Sequence, residues 1–141
     1  PPEIAKLLGL CAAFDNRTIG KADVTAWHLA IGDLKFDDGQ AAVVAWYREH
    51  RNWIMPSDIR AGVRRIRDAR LDACPPDREL MAGLDPDMPG ADWARIYRER
   101  RTMIANGMPP AELRAIAGGQ SLTSAPRRTM SGPSSASSEP P

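Results

Sequence analysis

The chain has 141 residues, with 19 Lys and Arg against 18 Asp and Glu, for a formal net charge of +1. That length holds one domain with an appendage or two very small domains, and near-neutrality removes any argument from bulk charge to a nucleic-acid or membrane partner. No apolar run approaches the ~20 residues that span a bilayer, and no basic-then-apolar leader opens the chain, so the expectation is a soluble, cytoplasmic protein. The chain does not begin with Met, which implies residues ahead of Pro1.

The first predicted helix runs from about Pro2 to Phe14. Ile4, Leu7, Leu8, Cys11 and Ala12 recur at three and four, which lays one apolar stripe along it. Asp15-Asn16-Arg17 is turn material. A second helix, from about Lys21 to Ile31, carries Val24, Trp27, His28 and Ile31 on one face. A third begins near Phe36, where Asp37 and Gln40 have the spacing of a reciprocal capping box, and reaches about Asn52. Trp53-Ile54-Met55 is a short apolar connector, and Pro56 forces Met55 to be extended. Ser57 is the expected N-cap of a fourth helix ending near Leu71, with Ile59, Val63 and Ile66 inward. Gly62 inside that helix costs about 1 kcal/mol against Ala, which points to a close helix–helix approach.

Beyond it the character changes. Cys74-Pro75-Pro76, Asp85-Pro86 and Pro89-Gly90 break regular structure in an acidic stretch that reads as a linker over 72–91. An amphipathic helix follows from about Asp92 to Asn106, closed by Asn106-Gly107, and a short helical turn runs on through Ile116. From Gly118 the chain is mostly Ser, Pro and Gly, too poor in apolar area to offset its ordering entropy, so disorder is expected. The reading is an all-α protein. Residues 1–71 form a small four-helix N-terminal domain, and 72–91 a flexible linker. Residues 92–117 form a helical partner-binding segment, and 118–141 a disordered C-terminal tail.

Charge by segment shows what the total hides. Residues 55–74 carry a net +2, residues 75–92 a net −4 and residues 93–117 a net +3. Two basic helices are thus held apart by an acidic stretch. On the fourth helix, Arg60, Arg64 and Arg67 follow one face with Arg65 beside them, behind a tight Met-Pro-Ser turn. That arrangement suits the second helix of a helix-turn-helix DNA reader, a protein contact, or a solvated face neutralised by Asp58, Asp68 and Asp72. On the later helix, Trp93, Ile96, Tyr97, Arg100 and Arg101 are the residue types enriched at interface hot spots. An isolated helix of that length is marginal in water, so it docks on its own domain or on a partner.

No catalytic grouping emerges: there is no phosphate loop, nucleophile elbow or zinc-protease helix. His28 and His50 have structural roles to hand. Cys11 and Cys74 lie too far apart in sequence for a paired zinc motif and read as free thiols. The expectation is a non-enzyme without catalytic residues, metal or cofactor.

The opening Leu-rich helix, Val24-Thr25-Ala26-Trp27, Leu34-Lys35-Phe36-Asp37 leading into Ala41, Ala42, Val43, Val44 and Tyr47, and Met55-Pro56-Ser57-Asp58-Ile59 together carry a resemblance. From Ile4 to about Ile66 the chain resembles the phage replicative-helicase loader and inhibitor family. The resemblance implies a small helical N-terminal domain followed by a mobile C-terminal region. It implies a protein that binds the ring-shaped replicative helicase hexamer, restrains its ATPase until delivery and is released at the origin. In that family the folded domain meets an origin-binding initiator and the C-terminal region engages the helicase. The expected function is therefore a DNA-replication adaptor of the bacterial host cytoplasm. It would hold the helicase through Trp93, Ile96, Tyr97, Arg100 and Arg101. The initiator, or DNA, would meet Arg60, Arg64, Arg65 and Arg67. The alternative is a helix-turn-helix DNA-binding regulator or replisome organiser.

Overall fold

A computed structural model describes residues 2–117, all of whose regular structure is helical. The tail expected to be disordered from 118 onward lies outside the described residues. Helix α1 spans Pro2–Asp15, α2 Lys21–Ile31, α3 Phe36–Glu49 and α4 Pro56–Asp72. Three more follow: α5 at Asp77–Leu80, α6 at Gly90–Ala105 and α7 at Pro110–Ala117.

The first four helices share one core. The stripe read from α1 turns inward as Ile4, Leu7, Leu8 and Cys11, and it meets Trp27 and Ile31 of α2, Ala42 and Val43 of α3, and Ile59 and Val63 of α4. Ile54 from the connector is fully buried among them. Each buried Leu, Ile or Val among them contributes about 1.5–3 kcal/mol of transfer free energy. His28, expected on the inner face of α2, is exposed. Cys11 and Cys74 are free thiols, Cys11 buried and Cys74 half-buried. Burial pushes the Cys11 thiol up to about 11.

Packing at Gly62 is close, as its position in the helix implied. A Cβ there would lie 2.7 Å from the Cβ of Ala42, so the α3–α4 crossing requires the missing side chain.

Two helix starts differ from expectation. Helix α3 begins at Phe36, with extended Lys35 as its N-cap and no side-chain cap. The Asp37–Gln40 box is not formed, and buried Asp38 pairs with Arg70 of α4 instead. Helix α4 starts one residue before Ser57. Pro56 occupies its first turn, Met55 is extended at φ −112° and ψ 162°, and the Met55 N–H donates to the Asp58 carboxylate at 2.9 Å. A proline that lacks an N–H is tolerated at that position, and Asp58 satisfies the donor ahead of it.

The largest difference is in residues 72–91, which are not a plain linker. Helix α5 lies there, and Leu80 at its end is buried against Ile104 of α6 and Leu113 of α7, with Cys74, Tyr97 and Met108 packed around them. One amphipathic helix and a short helical turn after it are expected from the sequence; with α5 added, the chain forms a three-helix unit with an apolar cluster of its own.

Candidate partner-binding surfaces

The residues singled out on α6 divide between two sides of the helix. Trp93 and Tyr97, one turn apart, stack with centroids 5.0 Å apart and 12° between planes. The Arg101 guanidinium continues the row, 5.7 Å from the Tyr97 ring centroid, and its Nη1 lies 3.4 Å from the Tyr97 hydroxyl. Tyr97 donates its O–H to Asp77 of α5 at 3.0 Å, which fixes the ring. The i, i+4, i+8 spacing of a helix thus builds a Trp–Tyr–Arg ladder, with Trp93 still 40% exposed. Ile96 is half-buried.

Arg100 does not belong to this surface. It is buried, 7% exposed, and donates to the Leu80 carbonyl at 2.6 Å. Burial pulls its guanidinium below the usual value. It holds α5 against α6, so the guanidinium expected at a partner contact is instead taken up within the fold.

The basic face of α4 is also divided. Arg60, though exposed, is engaged by α2 and the turn after it: its Nε donates to the Ala30 carbonyl at 2.7 Å and its Nη1 to Asp33 at 3.2 Å. It thereby caps the C-terminal turn of α2, where a cation is favoured. The guanidinium in turn holds the Asp33 carboxyl below its usual range. Arg64 and Arg65 are exposed, and half-buried Arg67 lines a cleft beside Leu71 of α4 and Ala105 of α6.

A third feature was not legible as a site. Asn16 takes a left-handed conformation, φ 56°, which Asn tolerates, and the turn brings Arg17 back onto Asp15. Arg17 Nε donates to both Asp15 oxygens at 3.0 and 2.9 Å, and its Nη2 reaches the Ile54 carbonyl at 3.0 Å. Tyr47 donates to the Asp15 carboxylate, and Ile54 N–H donates to the Tyr47 hydroxyl at 3.3 Å. The guanidinium lies over two rings, 5.3 Å from Trp27 and 5.1 Å from Trp53. The hydrogen bonds from Arg17, with help from Tyr47, hold the Asp15 carboxyl below its usual range. Over this knot Phe14, stacked on Tyr47, and Trp53 are 50% and 59% exposed.

Among the described residues, no group of three or more His, Cys, Asp or Glu is placed to hold a metal ion. No helix among them is long and apolar enough to cross a membrane. The chain matches no family model, no curated protein and no solved structure.

Proposed function

We infer that this chain is an adaptor in DNA replication, binding a replicative hexameric helicase and loading or inhibiting it, with no chemistry of its own. The observation that carries the reading is the Trp93–Tyr97–Arg101 ladder, a rigid aromatic and cationic strip on α6, outside the core of the four-helix domain. Aromatic and arginine side chains held in place give large contact area at low entropic cost, which is what protein hot spots are made of. The four-helix domain supplies a second surface, for an origin-binding initiator. Joining two contacts in one chain raises the effective concentration of the second once the first is made. The place of action is the cytoplasm of a bacterial host.

Co-elution with the host helicase hexamer tests this. Full-length protein is expected to form a complex, and Trp93→Ala with Tyr97→Ala to weaken it by about 100-fold, the cost of about 2.7 kcal/mol at a hot-spot pair. Absence of a complex both with and without nucleotide ends the proposal.

A second reading is favoured by one observation: Arg64 and Arg65 project from α4 into solvent. A helix-turn-helix DNA-binding regulator or replisome organiser would use them with Arg67. Duplex binding that falls steeply with salt, and is abolished by Arg64→Glu with Arg65→Glu, is its signature.

A further inference from the structure

The two apolar clusters have no residue in common, and at the seam, where α6 runs close along α4 with Ala105 buried, polar bonds reach from one unit to the other. Three groups of the four-helix domain converge there on the last turn of α6. Arg70 Nη1 donates to the Ala105 carbonyl at 3.0 Å, while Asp38 of α3 fixes that guanidinium with bonds of 2.9 and 2.6 Å. Lys35 Nζ donates to the Asn106 carbonyl at 2.7 Å. These carbonyls lie at the end of a helix, where they lack helical partners and carry the negative end of the dipole. Cations of one unit thus cap a helix of the other. Gly107, at φ +92°, leaves the backbone bare beneath the clamp: a Cβ there would sit 3.4 Å from the Arg70 guanidinium carbon.

The seam is also unsealed. A cleft of about 550 Å³ opens along it, lined by Lys35, Asp38, Arg67 and Asn106 among others. Two units with separate cores, meeting along α4 and α6 through polar bonds and the small side chain of Ala105 beside an open cleft, have a contact that can yield to relative motion. The connection between them, residues 73–76, reaches only about 14 Å when extended. The second unit can swing but not leave.

We propose that α5–α7 is a latched lid on the four-helix domain, held shut by Lys35, Asp38 and Arg70 at the C-terminus of α6, whose opening widens the cleft at Arg67 and Leu71 on α4. The lid couples the two surfaces of the adaptor reading, since the ladder on α6 moves with it. The latch itself stands without that reading, and none of the measurements below needs a helicase.

The test is hydrogen exchange and small-angle scattering on the full chain, comparing wild type with Lys35→Ala and with the pair Asp38→Asn, Arg70→Gln. Arg48→Ala, an exposed change on α3, is the control. The pair is expected to speed exchange of amides 105–108 by about tenfold and to raise the radius of gyration. Lys35→Ala should do both to a smaller extent. Protection in α1–α4 and total helicity should be kept, and added salt should loosen the wild type but not the pair. Unchanged exchange and size in both variants would overturn the latch. So would a loss of protection spread through α1–α4, because the two units would then be one cooperative body. If the pair does not fold, Lys35→Ala, which alters an exposed side chain, decides the question.

Discussion

Arg17 combines an ion pair, a carbonyl contact and two aromatic faces, and its energetics follow from burial. Its side chain and that of Asp15 are 9% and 3% exposed, so removing one partner strands the other out of water. Arg17→Ala is expected to cost about 3–5 kcal/mol, read as a lower denaturant midpoint. Asp15 gives the same knot a pH dependence. Its folded pKa is depressed below the ordinary value of 3.8, so its stabilisation is complete only above about pH 5. It is lost as the pH falls through the depressed folded value. Asp15→Asn should flatten the acid limb of stability against pH, as followed by urea unfolding. The cysteines differ in kind. With Cys11 buried and pushed up to about 11, an aromatic disulfide reagent at pH 8 should modify Cys74 alone in the native chain. Cys11 should react only on unfolding.

At the scale of helices, Gly62 offers the sharpest test. Alanine is the better helix former by about 1 kcal/mol, yet Gly62→Ala places a methyl 2.7 Å from that of Ala42. The net result should be a loss of about 1–3 kcal/mol, partly restored by adding Ala42→Gly and measured by thermal melting. Leu80 tests the second unit. With only Leu80, Ile104 and Leu113 fully buried in its cluster, Leu80→Ala should release α5 and α7 to rapid amide exchange while α1–α4 stay protected. Legibility in sequence divides along the same lines. The stripe of α1, the Lys21–Ile31 span of α2, the extended Met55 and the need for Gly62 all follow from local spacing and sterics. The Asp15–Tyr47 and Asp38–Arg70 contacts do not, because their partners are 32 residues apart. Helix α5 escaped because four residues have no periodicity to read, and tertiary contact through Leu80 and Arg100 holds them. Of the candidate site, Trp93, Tyr97 and Arg101 could be assembled from helical spacing. The burial of Arg100 and the bonds of Arg60 to Ala30 and Asp33 could not be foreseen, since what they touch is distant in sequence.

For the molecule as a whole, the core of the first four helices is complete within residues 4–66, and Arg70 with Asp38 precedes Asp72. A chain cut after Asp72 is therefore expected to fold, to keep its melting transition within a few degrees, and to lose co-elution with the helicase while keeping any contact with an initiator. Loss of its melting transition would instead show that α5–α7 contribute to the first core. Unchanged co-elution would move the helicase contact from α6 to the four-helix domain.

The tryptophans are divided unequally between the units: Trp27, Trp46 and Trp53 belong to the four-helix domain, and Trp93 alone lies on the lid. Intrinsic fluorescence therefore has two separable channels. Subtracting the spectrum of a Trp93→Phe chain isolates the lid's emission, while the remaining emission reports the domain beneath it. The protein needs no attached dye for the two units to be watched separately.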